Sequence, residues 1–287
     1  MKKHEDANSL ISGYESPMRL CFVLLPDPKP LAAPALENAL KEFPELGKVS
    51  WLSSTKEGTH AFSLGGIDVL AALMPMSVPE GEADGATDHS LSGLDGSWTL
   101  PEHRGHLVVA QQGAKKGDVT DLTAFTRVVA AIVRATEAVG VYWGEGGATH
   151  HPEFVVDIAR SELPLPVWVG VSVAKTAGGA ELLSLGMQQF GLPDLLLHAP
   201  TLEGGVFEFF YDLLAYVVRR GKKLPEGDSV GRTDQERIKV KYVTSPVDPD
   251  AEVWSVTLPG AKKPAKKVPA KKKKPVKRKA PAKKKKR

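Results

Sequence analysis

Hydrophobic positions along the chain fall into two periods, and each stretch predicts an element by the period it follows. Arg19–Leu25 is an apolar run closed by Pro26, the pattern of a buried strand. Across residues 30–43, Leu31, Ala35, Leu36, Ala39 and Leu40 share one face of a helix. Strands are expected at 48–52, Thr59–Leu64 and Ile67–Met74, the last two separated by the turn pair Gly65-Gly66. From 75 to 105 the pattern lapses into Gly, Asp, Ser and Pro. A loop that long inside a compact domain is unusual. A surface insertion is the simplest expectation, with a lid or a divider between two lobes as alternatives.

Order resumes with a strand at 106–111. Leu122, Phe125, Val129, Ile132 and Val133 then follow at helical spacing, with Gly140 beyond the last turn. A short strand is expected at 141–143, and His151-Pro152 opens a helix running to Arg160. Val167, Val169, Val171 and Val173 alternate, which predicts a strand with one valine face inward. Further strands are expected at 181–187 and 194–198. Val206, Phe210, Leu213 and Val217 line the next helix, with Phe207, Leu214 and Val218 widening its apolar face. Arg219, Arg220, Lys222 and Lys223 gather around Gly221 at its end, where cations complement the helix dipole. Strands at 238–243 and 252–258 finish the pattern.

Runs of strands between single helices give an α+β class with a mixed, largely antiparallel sheet or sheets and about four helices, compatible with two ferredoxin-like lobes. The chain divides into a polar, flexible lead-in at 1–17, a globular domain at 18–259 and a C-terminal tail at 260–287.

Charge changes the picture most in that tail. Residues 261–287 hold sixteen of the 38 Lys/Arg and none of the 34 Asp/Glu, so residues 1–260 carry a formal charge of −12 and the tail +16. Its cations are Lys262, Lys263, Lys266, Lys267, Lys271, Lys272, Lys273, Lys274, Lys277, Arg278, Lys279, Lys283, Lys284, Lys285, Lys286 and Arg287. Low hydrophobicity, high charge and repeated prolines predict disorder. A polycation displaces counterions from phosphate backbones, which points to sequence-independent contact with DNA or RNA. The tail has no aromatic residue to stack on bases, and lysine dominates, so its contacts would be point charges. Folding back onto the acidic body, or serving as a solubility tail, are the alternatives.

The body holds no comparably specific signal. Cys21 is the only cysteine, which excludes an internal disulfide and a multi-Cys zinc site. No apolar run reaches the roughly 18–20 residues that span a bilayer. Glu5 and Asp6 stand where a signal peptide would begin its apolar stretch. A cytoplasmic protein, associated with the nucleoid through its tail, fits these features.

Two loops are candidate ligand sites. Gly144-Glu145-Gly146-Gly147-Ala148-Thr149 lies between a strand and an expected helix, the setting of phosphate-cradling loops. It matches no nucleotide motif, however, and Glu145 would repel a phosphate, so an ordinary connection is the simpler expectation. Gly146, Gly147, His150 and His151 are its candidate residues. Asp228 and Ser229 are those of the second loop, 227–231, which a plain change of chain direction also explains. There is no GxSxG elbow, no HExxH and no EF-hand loop, and no cofactor is expected.

Tyr142-Trp143, the stretch from Leu163-Pro164 to Trp168, Gly186-Met187 through Phe190-Gly191, Tyr216 before Gly221, and Gly227-Asp228-Ser229-Val230-Gly231 occur in an order that resembles a bacterial family known only as a domain of unknown function, DUF4261. The likeness is clearest over 140–245. It implies a bacterial intracellular α+β domain and supplies no reaction and no catalytic residues. The tail is similar instead to the Lys-Ala-Pro tails of linker histones and some bacterial nucleoid proteins. Together these features predict a non-catalytic binding protein, an acidic domain with a protein or small partner tethered to nucleic acid. The alternatives are an enzyme or small-ligand binder using the 144–153 and 227–231 loops, and an immunity-type protein that binds a basic protein.

Overall fold

A computed structural model describes residues 18–261. The expected lead-in and the sixteen tail cations lie outside the described residues.

The first half comprises β1 (Arg19–Leu25), α1 (Ala33–Ala39), β2 (Ser50–Ser54), β3 (Thr59–Leu64), β4 (Ile67–Met74), β5 (Gly105–Gln112), α2 (Val119–Arg134), β6 (Gly140–Trp143) and β7 (Ala148–His150). These strands form one sheet in the order β2-β3-β4-β5-β1-β6-β7, antiparallel throughout. Within it β4-β5-β1-β6, with α1 following β1 and α2 joining β5 to β6, has the strand order of a ferredoxin-like unit, into which the hairpin β2-β3 is inserted. The helix expected over 30–43 is shorter, because α1 passes at Leu40–Glu42 into a tighter 3₁₀ turn.

The register of β1 explains why its sequence is apolar on both faces. Val23 stands opposite Leu107 on β5 and Val141 on β6, and all three are fully buried in the main core. The alternate residue Leu24 faces the other side, where it packs with Val78, Ala83 and Leu100. Those three come from the irregular 75–105 segment. It therefore covers the second face of the sheet around β1 and β6, with one 3₁₀ stretch at Asp84–His89 as its regular structure.

The second half comprises α3 (Pro152–Ile158), α4 (Leu165–Trp168), β8 (Gly170–Thr176), β9 (Gly179–Leu185), β10 (Leu195–Ala199), α5 (Val206–Arg220), β11 (Ser229–Val230), β12 (Ile238–Lys239), β13 (Lys241–Thr244) and β14 (Glu252–Thr257). The second sheet runs β13-β14-β10-β9-β8, with β10 and β14 parallel across the α5 connection and the other pairs antiparallel. β11 and β12 form a separate two-stranded ribbon. This half carries a meander and one crossover rather than a second ferredoxin-like order. The architecture is α+β with mostly antiparallel sheets.

The four alternating valines do not share a strand. Val167 belongs to α4, Val169 ends that helix, and Val171 and Val173 lie on β8. Pro166 sits in the first turn of α4, where a missing N–H is harmless, and Trp168 anchors the turn by donating from Nε1 to Thr126 Oγ1 of α2 at 2.7 Å. A buried connection presents valine to the core whatever its period.

One continuous core joins both sheets. Phe125, Val129 and Ile132 of α2 and Phe210, Leu214 and Val217 of α5 contribute its helical share. Asp118 caps α2 by accepting from the Asp121 N–H at 3.1 Å. Gly221 closes α5 in the left-handed conformation, φ 62°. Among the described residues, no helix is long and apolar enough to cross a membrane.

Candidate functional site

The glycine-rich segment is a hairpin turn. β6 and β7 pair from Val141↔His150 to Trp143↔Ala148, with a 3₁₀ turn at Gly144–Gly146 between them. A strand therefore intervenes between this loop and α3, so the loop does not present a helix N-terminus to a ligand. Its glycines serve the backbone instead. Gly147 adopts φ 55°, and a Cβ on Gly146 would overlap the carbonyl oxygen of Trp168.

His150 and His151 fasten the 75–105 segment to β7 and α3. Fully buried His150 donates from Nε2 to the Val167 carbonyl at 3.0 Å and accepts at Nδ1 from Ser90 Oγ at 2.7 Å. The carbonyl can only accept, which fixes the neutral tautomer. Burial holds its pKa down from 6.5 to about 4, against the opposing effect of the Val167 bond. His151 donates its backbone N–H to Ser92 Oγ at 2.9 Å, and its Nδ1 accepts from the Glu153 N–H at the start of α3. Thr149 adds a third tie, Oγ1 donating to the Ala83 carbonyl at 2.7 Å.

The 227–231 loop stands elsewhere. With α5 it encloses a groove of about 680 Å³ lined by Glu208, Phe209, Asp212, Leu213, Tyr216 and Arg220 on the helix and by Asp228, Ser229, Val230, Gly231 and Arg232 opposite. The polar helix residues recur every fourth position, which stacks them along one face. Arg220 Nη1 donates to Tyr216 Oη at 3.1 Å. Arg232 is held by Glu236, Nε to Oε2 at 3.0 Å, and this ion pair keeps the Glu236 carboxyl below its ordinary range. The Asp228 carboxylate accepts from the Ser229 N–H at 2.8 Å, and the Asp228 carbonyl accepts from the Val240 N–H. The helix wall runs from acidic Glu208 and Asp212 through Tyr216 to basic Arg220.

The structure thus brings Asp228 and Ser229 into a concave site and places Gly146, Gly147, His150 and His151 outside it. Among the described residues, no group of three or more His, Cys, Asp or Glu side chains is placed to hold a metal ion. Cys21 is buried and its thiol pKa is pushed far up by desolvation, as its apolar strand implies. The groove residues that the sequence alone does not mark are Glu208 and Asp212. Their one signal is the four-residue spacing on the face opposite Phe210 and Leu214.

Residues 183–257 match the family described as a domain of unknown function, DUF4261. The matched stretch contains both walls of the groove and the Gly186–Gly191 portion of the resemblance. Tyr142-Trp143 and the approach to Trp168 lie outside it. No curated protein matches the chain, and no solved structure does.

Proposed function

We propose that this chain is a non-catalytic binding protein, in which the folded domain carries a recognition groove along α5 and the C-terminal tail holds it on DNA or RNA without regard to sequence. The division of charge carries this proposal. Residues 18–261 hold 20 Lys/Arg and 31 Asp/Glu, whereas residues 262–287 hold sixteen Lys/Arg and no acid. A net-acidic domain is repelled by a phosphate backbone, so affinity belongs to the tail.

The way the chain leaves the domain supports the same division. Among the described residues Leu258 is the last buried apolar one, and Ala261 closes a turn by donating its N–H to the Leu258 carbonyl at 3.2 Å. The groove, with acidic and basic ends around Tyr216, suits a protein segment or a small polar ligand.

Titrating the full chain against duplexes of unrelated sequence at several salt concentrations tests the tether. Affinity should be alike for all sequences and fall steeply with salt. Binding that is indifferent to salt, or confined to one sequence, contradicts it.

A further inference from the structure

A smaller cleft lies where the start of β1 meets turns from both halves of the chain, away from the α5 groove. It encloses about 260 Å³ and is lined by Arg19, Lys115, Lys116, Glu145, Gln188 and Gln189, with Met18 and Ala114 at its apolar side. We propose that this cleft binds a small zwitterion carrying both a carboxylate and an ammonium group, the chemistry of a free α-amino acid.

The cleft is built by close approach of three turns. The Gly117 N–H donates to the Gln189 carbonyl at 3.1 Å, joining the segment before α2 to the 3₁₀ turn Met187–Phe190. Gly186, at φ 109°, lets that turn meet the 144–147 hairpin, since a Cβ there would come within 2.6 Å of the Glu145 carbonyl oxygen. Arg19 is 4 % exposed and fixed from behind, Nη1 donating to Gln111 Oε1 at 2.7 Å and Nη2 to the Lys115 carbonyl at 3.2 Å. A guanidinium held in this way is already ordered for an anion.

The unsatisfied group in the lining requires the opposite chemistry. Gln189 is 8 % exposed, and its Nε2 donates to two carbonyls, Trp168 at 2.9 Å and Gly186 at 2.7 Å. Both partners are acceptors, so the amide orientation is fixed and Oε1 cannot exchange places with Nε2. That Oε1 has no hydrogen-bond partner among the described residues. A buried acceptor left alone costs about 1–3 kcal/mol, and since Gln189 lines the cleft, a small shift of the Met187–Phe190 turn would open this buried oxygen to a ligand N–H.

Glu145 lies at the exposed rim. Its carboxyl is crowded enough by protein that desolvation lifts its pKa, while Arg19 and Lys116 pull the other way. A ligand ammonium would relieve that desolvation directly. Three cations thus select a carboxylate, while one carboxylate and one orphan amide oxygen select an ammonium. The volume exceeds the roughly 30 Å³ share of a single water and admits a molecule of amino-acid size.

This inference rests on the folded domain and is independent of what the tail contacts. Calorimetry and thermal melting of the full chain with each of the twenty L-amino acids at pH 7 test it. Each is paired with the amine lacking the carboxylate and the acid lacking the ammonium. At least one amino acid should bind, and either truncated analogue should bind about tenfold or more weakly. The rim variants Glu145→Gln and Lys116→Ala should lose about tenfold in affinity with an unchanged melting temperature. Three outcomes overturn the proposal. No amino acid binds at about 10 mM, the plain acid binds as tightly as its amino acid, or both rim variants bind as the parent does.

Discussion

His150 is buried without a charged partner, so the fold accepts it in its neutral form. The unfolded chain takes up a proton near pH 6.5, whereas the folded chain resists until about pH 4. The folded pKa is the depressed one, so this contribution is complete above 6.5 and is lost as pH falls toward 4, by up to about 3 kcal/mol. His106 and His198 are also held below the ordinary value, chiefly by burial, and act with the same sign. Denaturant unfolding at pH 7.5 and pH 5 should show the fall, and His150→Gln should flatten part of it. At the turn, Gly146→Ala should lower the melting temperature sharply because the added carbon meets the Trp168 carbonyl. Gly147→Ala has open space around it and meets only the penalty of positive φ, about 1 kcal/mol. Equal losses would contradict the distinction between them. Neither role can be read from Gly146-Gly147 or His150-His151 alone, because both depend on Trp168, Val167 and Ser90, distant in sequence.

Elements with a full amphipathic period are legible in the sequence, and buried connections are not. The stripe from Val206 to Val217 and the terminal Gly221 predict α5 with its end. Phe210 on that stripe is fully buried, whereas Tyr216, six residues on, is 50 % exposed. Phe210→Ala should therefore cost about 3–5 kcal/mol in denaturant unfolding, and Tyr216→Ala should leave stability nearly unchanged while altering the groove. The α4 turn is hidden because its valines are buried on a connection between layers, where alternation carries no period. β7 is hidden because it has three residues and is defined by its pairing with β6. The 75–105 segment is legible as irregular, but its packing on Leu24 is not, since the partner faces of β1 are assigned only by register. Of the candidate site, the 228–229 wall is marked by its Gly, Asp and Ser. The facing helix wall becomes a site only when the fold brings it alongside.

For the whole molecule, overall charge is the least informative description. A formal +4 conceals a folded domain that should avoid nucleic acid and a segment that should seek it. Among the described residues, the core joining both sheets reaches its last member at Leu258. Neutralising tail lysines should flatten the salt dependence of nucleic-acid binding, by about one in log–log slope for each phosphate no longer paired with a cation. Substitutions in the α5 groove should leave that slope unchanged, because the groove lies on the net-acidic domain and not in the tail. The most direct measurement compares the full chain with one ending at Gly260, binding the same duplex at the same salt concentration. The shortened chain should keep its melting temperature and lose nearly all affinity. Equal affinity of the two chains would place nucleic-acid binding in the acidic domain and contradict the tether.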